Sequence, residues 1–320
     1  MDETRKPPRQ PITRREMLLA LAGGAAAGAC ARRPKPARPV MRSRGNELIL
    51  CGGDEVFILA VGTRRSPETR KIWSWRANDS YDMPLALRGL FKSTDDCKPV
   101  EGGRHILITS SGGAVALVER ETKRATFYAL VVNAHSAEML PGGRIVVASS
   151  VSQSPRGNRL VLFDVRKPQK EVFSERLESA HGVVWDDERQ VLWALGYEEL
   201  RAYRLHNWQS ASPALRREAT FELPDTDGHD LAPVPRTPLL FVSTGRHGWH
   251  FDRSKGRFVA HDALANAASI KSYSVNPLTG QIAYIQAEGS NWWAERVHFL
   301  RPRGMLHLPG ERLYKVRWNA

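Results

Sequence analysis

An all-β fold is what this sequence predicts: a six-bladed β-propeller of four-stranded antiparallel blades, its ring closed by the C-terminal strand. Three observations carry the prediction. From Asn46 onward there is no long amphipathic run with helical spacing, while short Val/Ile/Leu-rich runs recur between Gly, Pro and Asp. One such segment repeats along the chain. The first three strands also lack a fourth, which the last residues can supply.

The repeat sets the blade count. Ala134–Val147 aligns without gaps on Ala180–Trp193 and on Gly228–Phe241. A fourth copy is Thr94–Gly103 running into His105–Ile108, and a fifth is Ile270–Pro277 running into Ile282–Ile285. Each is a strand, a Pro/Gly/Asp turn and a second apolar strand. Further strands follow, such as Ala114–Glu119 with Ala125–Val131, and Leu160–Asp164 with Lys170–Arg176. Four short strands every forty-odd residues make one propeller blade. At the N-terminal end, Glu47–Cys51, Glu55–Ala60 and Lys71–Arg76 form three strands, and Leu313–Trp318 reads as the missing innermost one. Closing the ring this way removes the open sheet edges. Six blades follow, and the chain has no room for a seventh.

The ends of the chain speak to location. Thr13-Arg14-Arg15-Glu16-Met17-Leu18-Leu19 opens an apolar run through Ala29, the pattern of a twin-arginine signal, and the run is too short to span a bilayer. Ala27-Gly28-Ala29 fits an ordinary signal-peptidase site. Followed by Cys30 it also resembles a lipobox, with Ala27 where Leu is usual, and lipidation of Cys30 is the preferred reading. The expected organisation is a signal peptide over 1–29, a basic Pro-rich tether over 30–44 and the propeller over 45–320. The protein is then exported, either periplasmic or held at the membrane as a lipoprotein.

The formal net charge of +13 is partly a property of that tether, where Arg32, Arg33, Lys35, Arg38, Arg42 and Arg44 stand without an acid. Like charges and prolines extend such a segment, and its basic groups suit anionic headgroups. No basic helix or nucleic-acid motif accompanies the charge, so nucleic acid is not expected as a partner. The body holds two cysteines, Cys51 and Cys97, which read as buried thiols rather than a disulfide framework.

In a propeller the start of each inner strand and the turn between the second and third strands share one face. The repeat puts Asp95, His135, His181, His229, Lys271 and, by closure, Lys315 at equivalent inner-strand starts. Three imidazoles from consecutive blades beside a carboxylate suit a divalent metal (Mn, Zn or Fe), with Asp95 as fourth ligand. Two other readings stand beside it: a metal-free ring contacting an anion or a sugar, and a set of hydrogen-bonding posts between inner strands. The turns add Ser110, Ser111, Tyr197, Glu198, Arg246, His247, Glu288, Asn291 and Trp292. Arg246-His247 is flanked by glycine, which lets a ligand approach the backbone, or else it is a solvated turn. Trp292-Trp293 offers a stacking face or packs on a neighbouring blade. Trp73 and Trp75 alternate along a strand and read as packing residues.

At Thr94–Pro99, Asn133–Ile145 and Ala180–Tyr197 the chain resembles a family of uncharacterised bacterial secreted propeller proteins, a domain of unknown function. A looser likeness, of architecture and site, is to oligogalacturonate lyases, seven-bladed propellers whose histidine-rich metal site cleaves acidic sugars by β-elimination. That likeness implies a ligand role for His135, His181 and His229. The function expected is an envelope enzyme acting on an acidic saccharide, a monomer. In it the metal polarises the uronate carboxylate, and Lys271 or Lys315 holds negative charge or acts as base. The alternative is a non-catalytic propeller that binds a glycan or a protein.

Overall fold

The computed structural model describes residues 45–62 and 68–319. The expected signal peptide and tether, Cys30 included, lie outside the described residues. Six four-stranded antiparallel sheets form, each running outward from an innermost strand. The innermost strands are Thr94–Val100, Ala134–Leu140, Gly182–Asp186, Asp230–Pro233, Ile270–Val275 and Lys315–Asn319. The first blade takes its inner strand from the far terminus: Lys315–Asn319 pairs antiparallel with Glu47–Cys51, Glu47 opposite Asn319 and Cys51 opposite Lys315. The expected ring and its closure are both present.

The burial pattern explains why the second strands are so apolar. His105–Ser110, Arg144–Ser149 and Val191–Leu195 are covered on both faces by neighbouring blades, so their apolar residues run continuously rather than alternating. Outer strands behave differently; Ala214–Glu222 is largely exposed or half-buried. The apolar residues fall into six clusters, one at each seam between adjacent blades. The core is thus distributed around the ring, which leaves the axis free for polar side chains.

Several seams are recognisable from single contacts. Trp75 meets Phe91 edge to face, with centroids 5.4 Å apart. Trp73 donates from Nε1 to the Arg120 carbonyl of the next blade at 2.7 Å. Across the closing seam, Glu47 receives a two-pronged ion pair from Arg120 (2.8 and 3.1 Å) and a hydrogen bond from Asn319 at 2.7 Å. Phe241 stacks on Tyr273 at 3.9 Å between the fifth and sixth blades.

Two features were not expected. A 3-10 turn at Ala77–Asp79 and a one-turn helix at Leu85–Arg88 bridge the first and second blades. Four residues are too few to show helical periodicity, and Pro84 starts the turn by presetting the backbone. Met83, Leu87 and Phe91 from this bridge cap the first seam. Cys51 and Cys97 are free, buried and part of that same cluster. Among the described residues no helix is long and apolar enough to cross a membrane.

Candidate functional site

Bulges aim three of the expected site residues. Thr94 pairs with Ser110 and Asp96 with Thr109, leaving Asp95 as the extra residue. The same two-against-one count leaves His135 between Ala134 and Ser136, and Lys271 between Ile270 and Ser272. A bulge breaks the alternation of the strand and redirects one side chain. His181 and His229 stand one residue before their strands, their N–H groups donating to Leu195 and Ser243.

The three histidines come together. The His135 and His181 rings are 4.3 Å apart and tilted by 32°; His181 and His229 are 5.0 Å apart and nearly parallel at 19°. Tyr314 lies 6.2 Å beyond His135, and Trp292 is 5.6 Å from Tyr314. Five rings from five blades therefore make a continuous arc across the mouth of the channel. Trp292, 44 % exposed, is its solvent end.

Hydrogen bonds fix the ring orientations. His181 Nδ1 lies 2.9 Å from the Ser179 carbonyl and His229 Nδ1 lies 3.0 Å from the Asp227 carbonyl. A carbonyl only accepts, so both rings carry a proton on Nδ1, and in the neutral form Nε2 keeps its lone pair. His135 Nδ1 approaches Asp95 Oδ1 at 3.4 Å without hydrogen-bond alignment and has no partner. Asp95 is held by the Ser111 backbone N–H.

Burial dominates the electrostatics. It drives the His135 pKa down to about 3, helped by Lys315, His229 and Lys271. His181 is pushed well down by burial and its two imidazole neighbours. Burial raises Asp95 to about 7 against the opposing pull of Ser111 and Lys315. Lys271 falls to about 8, again chiefly by burial, with Asp227 opposing and Lys315 assisting. Among the described residues Lys271 makes no ion pair and no side-chain hydrogen bond.

Lys315 is differently placed. Its ammonium donates to Asp230 Oδ1 at 2.8 Å and to the His229 carbonyl at 3.0 Å, almost fully buried. It belongs to a layer of charge below the rings that sequence reasoning missed. Arg317 donates to Asp96 Oδ1 at 3.0 Å and to Asp230 Oδ1 at 2.9 Å, and Ser136 donates to Asp96 Oδ2 at 2.7 Å. Burial works to raise both carboxylates, and Arg317, with Lys98 or Lys315, overrides it and holds them below their usual range. Asp96 and Asp230 each follow a chosen residue by one position, and Arg317 follows Lys315 by two. Charges at consecutive places in otherwise apolar strands were the available signal.

The remaining expected residues are scattered. His247 Nδ1 pairs with Asp225 at 2.8 Å, while its neighbour Arg246 is exposed. Glu288 is paired with Arg296 at 3.0 Å. Tyr197 and Glu198 line a separate recess of about 380 Å³ with Glu178, Glu199, Thr220 and Glu222. Ser110 is spent on the carbonyls of Leu90 and Ser93.

The donor set fits a metal poorly in this geometry. The stacked His181 and His229 direct their nitrogens in nearly parallel planes rather than at a common point, and His135 is tilted by 32° to His181. Among the described residues no group of three or more His, Cys, Asp or Glu side chains is arranged to hold an ion. Asp95, His135, His181 and His229 are brought together as neighbours.

Fold and site define a six-bladed propeller with a ring-lined, partly buried channel mouth. The sequence matches the model of a family of unknown function, DUF6528, over residues 51–320, and the chain belongs to that family. The match spans the whole described propeller apart from the first few residues. No curated protein matches the chain.

Proposed function

We propose that the channel mouth binds a small anionic ligand, with an acidic saccharide as the favoured class. One observation carries this reading: Lys271 is a half-buried ammonium group that makes no ion pair among the described residues, Asp227 acting on it only through its field. A desolvated, unpaired charge is costly, and a ligand carboxylate would offset that cost. At the end of the arc, Trp292 presents ring surface of the kind that sugar faces stack on, backed by the buried Tyr314, and the Nε2 atoms of His181 and His229 would accept hydroxyl protons. Lys315 supplies field rather than contact, since Asp230 already holds it.

A second reading, elimination chemistry on a uronate, draws on two groups that titrate near neutrality. Lys271 at about 8 would take the proton next to the carboxylate as a free amine. Asp95, at about 7 and next to His135, would return a proton to the departing oxygen as the carbon–oxygen bond breaks. This reading needs no metal at the stacked histidines.

The proposal also places the protein outside the cytoplasm, supported by Arg14-Arg15 and by Ala27-Gly28-Ala29-Cys30. Replacing Cys30 with Ser should release it from membranes if the cysteine carries lipid.

Calorimetric titration with digalacturonate and with its neutral counterpart tests the binding reading. Saturable binding of the acid alone, lost in Lys271→Ala, is the expected result. Equal binding of both sugars, or of neither, would overturn it. Incubation with oligogalacturonate then decides on chemistry, through the unsaturated product and its ultraviolet absorbance.

A further inference from the structure

Three to four residues beyond the histidine level, about 10–13 Å further along the inner strands, the channel opens again. The Asp96–Arg317–Asp230 layer separates the two ends: Arg317 also donates to the Tyr273 carbonyl at 3.1 Å, and Tyr273 N–H donates to Asp230 at 2.7 Å. Past it lies a cavity of about 290 Å³ whose walls include Trp185, Trp318, Leu231, Pro233, Val275 and Pro277. None of the residues at the mouth lines it.

Three charged side chains set the chemistry of this cavity. Lys98 is spent: its ammonium donates to Glu138 Oε2 at 3.0 Å and to the Val183 carbonyl. Arg317 is spent on Asp96 and Asp230. Glu138 is different. Its second oxygen, Oε1, accepts no hydrogen bond among the described residues, and its side chain remains 19 % exposed at the cavity wall. The charge around the axis is balanced, Lys98, Lys315 and Arg317 against Asp96, Asp230 and Glu138. An incoming anion would have to compete with Glu138 for Lys98, whereas an incoming ammonium meets an open carboxylate oxygen among aromatic rings.

We infer that this cavity is a second ligand site, distinct from the mouth, for a small apolar ring compound bearing a primary amine. The ring would fill the space between Trp185, Trp318 and the prolines, and the ammonium would bond Glu138 Oε1. Its size lies at the lower edge of small-molecule pockets, roughly 300–1,000 Å³, which suits one or two rings and excludes an oligomer. Indole faces add attraction for the cation.

The probe is phenethylamine, titrated into the full-length protein by saturation-transfer NMR and calorimetry, with 3-phenylpropionate as the anionic control. Saturable binding of the amine at millimolar concentration or below, with the acid at least tenfold weaker, is expected. Glu138→Gln should weaken amine binding about tenfold, in line with a charge-assisted hydrogen bond. Because that change also frees Lys98, a second variant is needed. Val275→Phe fills the cavity without touching an ion pair and should abolish binding while the thermal melt holds. Lys271→Ala, at the mouth, should leave the amine's affinity unchanged, so a failure there is separable from a failure here. No amine binding to the unaltered protein, preference for the acid, or full binding by Val275→Phe would each overturn the inference.

Discussion

The two ends of the channel are made from the same six strands and share no chemistry. At the mouth, bulges turn Asp95, His135 and Lys271 out of the strand alternation, and one cation stays unpaired. At the far end the strands are regular, the walls are Trp and Pro, and one carboxylate oxygen stays unpaired. Between them every charge is matched. An ammonium without an ion pair at one end and an open oxygen of the Lys98-paired Glu138 at the other would give one scaffold two sites with opposite preferences.

The matched layer is common to both ends, and breaking it should have the largest effect. Arg317→Met leaves Asp96 and Asp230 buried without their main partner. Removing one member of a buried pair costs about 3–5 kcal/mol. Denaturant melts should show a loss of that size, with ligand binding weakened at both ends. A variant as stable as the parent would mean that the two halves are not coupled through this layer.

Acid should then separate the mouth from the far end, which carries no buried imidazole. The unfolded chain protonates His135 and His181 below their ordinary value of 6.5, while the folded protein keeps both neutral, His135 down to about 3. Asp95 works the other way: folded, it holds its proton up to about 7; unfolded, it loses it above 3.8. Between about pH 4 and 6.5 the unfolded state thus binds two protons at these histidines against one held by folded Asp95. Stability should rise with pH there, by about 1.4 kcal/mol per unit from these three groups, with His261, lowered to about 4, and His250 and His298 adding to it. Asp95→Asn removes the opposing contribution and should steepen the slope by about 1.4 kcal/mol per unit. Melts across that range, in both proteins, check it. A flat profile would place the histidines in solvent.

A smaller effect should follow at the solvent end of the ring arc. Trp292→Ala should weaken binding of an acidic sugar by a few-fold, corresponding to about 0.5–1.5 kcal/mol of ring contact. Phenethylamine binding at the far end should not change. Smallest of all, Arg246→Ala should leave both ligands' affinities within error, because the exposed Arg246 makes no contact with the arc.

The fold was legible because blade repeats are local. Each copy carries its own strand, turn and strand, so self-alignment finds it, and even the closing strand betrays itself as a leftover. The positions of His135, His181 and His229 were legible for the same reason, as equivalent places in successive copies. Ring stacking was not, because it depends on side-chain torsions that spacing does not encode. The hub was hidden by distance in sequence: Arg317 meets Asp96 and Asp230 only after the ring closes. Tyr197 and Glu198 sit on the expected turn, which lines a recess of its own with Glu178, Glu199, Thr220 and Glu222.

At the centre of the account is Lys271 as an unpaired, desolvated ammonium that an anion completes. Its titration can be followed directly by NMR of the side-chain Nζ, free and with saturating digalacturonate. The account predicts a midpoint near 8 in the free protein, rising when the carboxylate binds and stabilises the charge. A midpoint at the ordinary lysine value of 10.5, unmoved by ligand, would contradict it.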